Sequence, residues 1–105
     1  MNPSLFTTLA EPNRLNIVEL LRKGPRPVNE IVHHLRLNQP QVSKHLKVLA
    51  DAGMVDVHPD KNQRIYSLKT KPFRELNSWL EKYRALWEDR FERVDMLIEL
   101  EKKKK

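Results

Sequence analysis

Apolar positions recur at helical spacing through most of this chain, and at two-residue spacing in one stretch. In residues 2–9, Leu5, Phe6 and Leu9 gather on one side of a short helix. In EPNRLNIVELLRKG (11–24), Leu15, Val18, Leu20 and Leu21 supply the apolar face. Pro12 suits a first helical turn there, and Gly24 with Pro25 ends the segment. VNEIVHHL (28–35) repeats the spacing with Val28, Ile31, Val32 and Leu35, and residues 36–38 are a short connector. NQPQVSKHLKVL (38–49) then lines up Val42, Leu46 and Leu49 in one stripe. Asn38 is its expected N-cap, and Pro40 fits the first turn, where a missing N–H loses nothing. That helix is expected to run to about Ala52, with Gly53 taking a left-handed C-cap conformation.

The pattern next becomes alternating. MVDVHP (54–59) sets Met54, Asp56 and His58 against Val55 and Val57, and RIYSL (64–68) sets Ile65 and Ser67 against Tyr66 and Leu68. The polar tetrapeptide Asp60–Gln63 between them completes a β-hairpin. From Pro72 to about Glu101 the helical spacing returns, through Leu76, Leu80, Tyr83, Trp87, Phe91, Val94 and Ile98. The expected fold is mainly α with a small β-hairpin, in the order α-α-α-α-β-β-α. That is a winged helix-turn-helix with a helix added at each end. A chain of 105 residues suits one core, so residues 1–101 are expected to form one domain and Lys102 to Lys105 a basic tail.

The stripe in residues 38–49 accounts for one face of that helix only. The other carries Gln39, Pro40, Gln41, Ser43, Lys44 and Lys47. A solvated surface would look like this. So would a surface that reads DNA, since an amide pairs bidentately with adenine, lysine reaches guanine or phosphate, and serine contacts either. The helix before and the hairpin after favour the second reading. In a wing, Lys61 and Arg64 would lie beside the recognition helix, near phosphate or the minor groove. Arg14, opening the second helix, would touch phosphate or pair with a carboxylate.

Charge changes the picture modestly. The net charge is +6, and residues 12–71 hold 11 basic against 5 acidic side chains, whereas residues 72–105 hold 9 against 8. The cationic surplus therefore lies on the part that would meet phosphates. There is no cysteine, which excludes disulfides, thiolate metal sites and cysteine nucleophiles. No apolar run reaches the roughly 18 residues of a membrane span, and no signal pattern opens the chain, so a cytoplasmic location is expected. Two glycines cannot make a phosphate-binding loop, and no catalytic constellation has a pocket-like setting. No enzymatic chemistry and no cofactor are expected.

The segments AEPNRLNIVELLRKG (10–24), LNQPQVSKHLKVLADAGMV (37–55) and RIYSL (64–68), in that order, resemble the ArsR/SmtB family of bacterial winged-helix repressors. Residues 72–100 resemble its cysteine-free, autorepressor branch. The resemblance implies a homodimer built from the first and last helices, which binds an inverted-repeat, palindromic operator in double-stranded DNA and represses transcription. It carries Gln39, Ser43 and Lys44 over from positions the family uses on DNA; Gln41 and Lys47 rest on helix geometry. Pro40 replaces a small polar residue common in the family, which removes one hydrogen bond. The family is best known for metal sensing, and here the chain departs from it. Its thiolate ligands would fall on Pro27 and Asn29, and its second site needs histidine where residues 72–105 have none. No metal site is expected.

His33 and His34 point about 100° apart on a helix and so share an ion poorly; with His45 and His58 they read as surface or packing residues. The stripe on the last helix would leave much apolar surface wet unless a second copy covered it. Leu5, Phe6, Leu9, Leu76, Leu80, Tyr83, Trp87, Phe91 and Val94 are the expected dimer contacts. A two-fold axis would then set the recognition helices about 34 Å apart, on successive major grooves. Two other function classes stay open: a regulator with a non-classical small-molecule effector, and a protein-interaction adaptor on a winged-helix fold. A protein or small-molecule anti-repressor would fit either form of regulation.

Overall fold

A computed structural model describes residues 2–103, and the side chains of residues 2–88. The elements run α1 (Ser4–Leu9), α2 (Pro12–Leu21), β1 (Arg26–Pro27), α3 (Val28–Leu35), α4 (Gln39–Asp51), β2 (Val55–Asp60), β3 (Gln63–Leu68) and α5 (Thr70–Lys103). The chain divides into two compact units, Met1–Phe73 and Arg74–Lys105.

In the first unit, helices α2, α3 and α4 enclose a core that the sheet closes. Ile17, Ile31, Val42, Leu46 and Leu49 have no exposed surface, and Met54 is almost as deeply placed. Each such side chain contributes about 1.5–3 kcal/mol by leaving water. On α2 the inward residues are Ile17, Val18, Leu20 and Leu21. Leu15, expected on that face, is 42% exposed, and Ile17, which was not expected there, is fully buried. Five apolar residues in seven leave helical spacing unable to say which arc faces in.

Both ends of α4 are made as the sequence predicts. Asn38 caps it, and beyond Ala52 the glycine Gly53 is left-handed at φ 75°. Met54 N–H reaches the Leu49 carbonyl at 2.9 Å and Gly53 N–H that of Ala50 at 3.0 Å. These two bonds form a Schellman motif, which satisfies carbonyls that the helix leaves unpaired. α2 stops three residues before Gly24, at Leu21. The connector after α3 begins with Arg36 in the left-handed region, at φ 56°.

The sheet has three antiparallel strands in the order β1-β3-β2, one more than the hairpin the alternation implies. The extra strand is only Arg26–Pro27, paired to Tyr66 and Ile65 of β3. Two residues carry no period, and proline is a poor sheet residue, so no local signal marks it. β2 and β3 pair from Val55–Leu68 to Asp60–Gln63, which leaves a two-residue turn with Lys61 at φ 57°. Two-residue hairpin turns need positive φ at their first position. Burial along the hairpin follows distance from its base. Val55 and Tyr66 are buried, while Val57 is 44% exposed and everything from His58 to Arg64 is exposed. The hairpin therefore projects as a wing, and face alternation holds only at its root.

In the second unit α5 is a continuous helix, some 50 Å long at 1.5 Å per residue. Trp79 and Tyr83, one turn apart, stack at a tilted 58° with centroids 5.0 Å apart. Leu76 and Leu80 are half-buried, and Tyr83, Leu86 and Trp87 are exposed. The side chains of Phe91 and Val94 lie outside the described residues. No helix among the described residues is long and apolar enough to cross a membrane.

Candidate nucleic-acid interface

Helix α4 presents two unlike faces. Val42, Leu46 and Leu49 turn wholly inward, while Gln39, Pro40, Gln41, Ser43, Lys44 and Lys47 are all exposed. Lys44 and Lys47 make no ion pair among the described residues, so no carboxylate must be displaced before they meet a phosphate or a base. Lys61 and Arg64 at the wing tip are likewise exposed and unpaired. Elsewhere in the first unit the cations Arg22, Arg26 and Lys69 are neutralised by Glu19, Glu30 and Asp56 at 3.2–3.5 Å.

The start of α4 holds a feature that the sequence reading half found. Gln41 N–H donates to Asn38 Oδ1 at 2.9 Å, and Asn38 N–H donates back to Gln41 Oε1 at 3.2 Å. This reciprocal capping box satisfies two otherwise orphaned donors and fixes where the helix begins. It also occupies the amide oxygen of Gln41. Bidentate pairing with adenine needs both the oxygen and the NH2 group; the oxygen keeps a second lone pair, and the box fixes the direction in which the amide points. Among the described residues the side chains of Gln39 and Ser43 make no hydrogen bond, which leaves Gln39 open to bidentate pairing and Ser43 to a single contact.

Arg14 has a backbone partner that the sequence did not supply. Its Nε donates to the Thr8 carbonyl at 2.7 Å, tying α2 to the end of α1. Its backbone N–H donates to Glu11 Oε2 at 2.8 Å, so Glu11 caps α2. That same carboxylate oxygen lies 3.6 Å from His45 Nδ1 on α4. The sequence placed His45 beside the apolar stripe without a partner. Nothing local could have supplied one, since 34 residues separate the two.

Of the expected dimer contacts on α1, Phe6 is 44% exposed and Leu9 half-buried, whereas Leu5 is already buried by the chain itself. The residues at the family's thiolate positions do not suit a metal. Pro27 ends β1 and has no donor side chain, and Asn29 opens onto a shallow hollow shared with Arg26, Glu30, His33 and His34. The Arg26 guanidinium holds Glu30 there at 3.2 Å, placing a fixed positive charge where a cation would have to sit. Among the described residues no three histidine or carboxylate side chains converge.

Residues 11–57, from the cap of α2 into β2, match the model of the arsR family of bacterial regulatory proteins. HTH-type transcriptional regulator Rv2034 of Mycobacterium tuberculosis is 37% identical over 78 residues, covering 74% of this chain and 73% of that one. The transcriptional repressor SdpR of Bacillus subtilis is 27% identical over 77 residues, 73% of this chain and 86% of its own. A probable mercury resistance operon repressor of Streptomyces lividans is 38% identical over 63 residues, but the match spans only half of its length. Among solved structures, an ArsR family transcriptional regulator superposes with a TM-score of 0.69 at 30% identity, covering 79% of this chain and 91% of that one. A homodimeric winged helix-turn-helix DNA-binding domain from Mycobacterium bovis shares the fold at a TM-score of 0.62 and 24% identity, over 75% of this chain and 73% of its own. The capped, two-faced α4, the wing beside it and these matches agree: the chain belongs to the arsR family of bacterial regulatory proteins.

Proposed function

We propose that this chain is a homodimeric, sequence-specific repressor that reads an inverted-repeat operator with two copies of α4 and steadies it with two wing tips. The observation that carries this reading is the division of α4 into a fully buried stripe and a face of exposed amides, serine and unpaired lysines. Several relatives bear the name repressor, which supports the direction of control. Capture begins with the cationic surplus of residues 12–71, which draws the domain to phosphate and releases counterions. Gln39, Gln41, Ser43, Lys44 and Lys47 then face the base edges, and Lys61 and Arg64 follow the backbone beside them. Arg14 uses Nε on the Thr8 carbonyl, and its terminal NH2 groups reach phosphate.

Pairing of two copies uses the terminal helices. Phe6 on α1 and Tyr83, Leu86 and Trp87 on α5 leave large apolar surfaces in water on a single chain, and a second chain would cover them. Residues 1–101 thus act as one domain with dimerisation helices at its ends, working in the cytoplasm where bacterial DNA lies. Control requires no metal bound at the family's thiolate positions.

Selection of genomic fragments by the purified protein tests this reading. The recovered fragments should share an inverted repeat whose half-site centres lie about 10–10.5 base pairs apart, and the chain's own promoter should be among them if it regulates itself. Recovery of no sequence above background at physiological salt would overturn it and favour an adaptor.

A further inference from the structure

Among the described residues, one contact within ion-pair distance reaches the recognition helix from another element, and it comes from the cap of α2. Glu11 Oε2 accepts from the backbone N–H of Arg14 at 2.8 Å and lies 3.6 Å from His45 Nδ1, with both side chains half-buried. Arg14 in turn donates from Nε to the Thr8 carbonyl at 2.7 Å. Thr8, Arg14, Glu11 and His45 therefore form a polar chain from α1 through the start of α2 to the middle of α4.

The choice of glutamate calls for an explanation. Aspartate, asparagine and serine are the preferred N-caps, because their short side chains already reach the N–H groups of the first turn. The extra methylene of Glu11 adds nothing to the cap. What distinguishes this cap is that a single oxygen, Oε2, meets the Arg14 N–H and faces His45 Nδ1 on α4 together. There the remaining anchors are Val42, Leu46 and Leu49, whose apolar contacts are strong but non-directional. A helix about 10 Å across that rolls by about 20° moves its surface groups by about 2 Å, enough to break a hydrogen bond to a base edge. His45 follows Lys44 directly, so holding its ring fixes the direction in which Lys44 leaves the helix.

Resting on the DNA-reading function above, we infer that Glu11 is a positioning residue for base recognition: it holds His45 and so locks the rotation of α4 to the α1–α2 frame. Glu11→Asp separates this role from capping. It keeps the charge and the cap, while its shorter side chain draws the carboxylate back toward α2 and away from His45. The experiment measures binding of the full chain to a duplex selected by the wild type and to an unrelated duplex of equal length, together with thermal melting. Glu11→Asp should bind the selected duplex about tenfold more weakly, the size of one compromised base contact. Its affinity for the unrelated duplex and its melting temperature should not fall. His45→Gln should show the same selective loss, and the double variant should lose no more than either single one. Wild-type affinity for the selected duplex in Glu11→Asp would overturn the inference while leaving the proposed function intact. Equal losses on both duplexes would overturn it as well. A wild-type chain that prefers no duplex would instead sink the function on which it rests.

Discussion

Leu46→Ala is expected to lower the unfolding free energy by about 3 kcal/mol. Leu46 has no exposed surface and sits between Val42 and Leu49 in the one stripe that binds the helix to the core. Truncation removes transfer energy and leaves a void that its close-packed neighbours fill only partly. Domains of this size have only about 5–15 kcal/mol in total, so the loss is a large share of stability. Melting at fixed protein concentration should show a drop of about 15 °C, with operator binding lost well below the wild-type melting point. Val48→Ala, two residues further along the same helix but 37% exposed, serves as the contrast. It should cost less than about 1 kcal/mol. Similar losses from both substitutions would mean that α4 is not held by its stripe.

Lys44→Ala is expected to weaken operator binding by about 1–3 kcal/mol while leaving melting and oligomeric mass unchanged. The side chain is exposed, makes no ion pair among the described residues and covers no core residue, so stability does not depend on it. Salt titration separates its two possible targets. Removing a phosphate contact lowers the slope of log affinity against log salt by about one unit, on every sequence alike. Removing a base contact leaves the slope and erodes preference at one operator position. A variant that binds its operator as tightly as the wild type at physiological salt would remove Lys44 from the interface.

The parts of this fold that were legible in the sequence are those with a period or a local chemical reason. Three apolar residues at i, i+4 and i+7 gave α4 its inward face, and Asn38 and Gly53 marked its ends through side-chain and backbone chemistry confined to a few residues. The hairpin was visible because alternation and a polar turn coincide. What was hidden depends on distant partners or on degeneracy. β1 exists only because β3 lies beside it. Ile17 rather than Leu15 faces inward because of how α2 sits on its neighbours, in a helix apolar on several sides. Val57 escapes burial because the wing leaves the domain. On the candidate face, Gln41 had a readable partner, since Asn38 precedes it by the three residues of a capping box. Arg14 and His45 had none, for their partners are brought up only by the packing of α1, α2 and α4.

Two copies of α4 in successive major grooves of one duplex are the core of the proposed function. Methylation protection on a selected operator tests it, because dimethyl sulfate marks guanine N7 in the major groove and adenine N3 in the minor groove. The wild-type protein should protect guanines in two symmetric clusters about one helical turn apart, and Lys44→Ala should weaken protection in both together. Protection confined to a single cluster, or to minor-groove adenines alone, would contradict it.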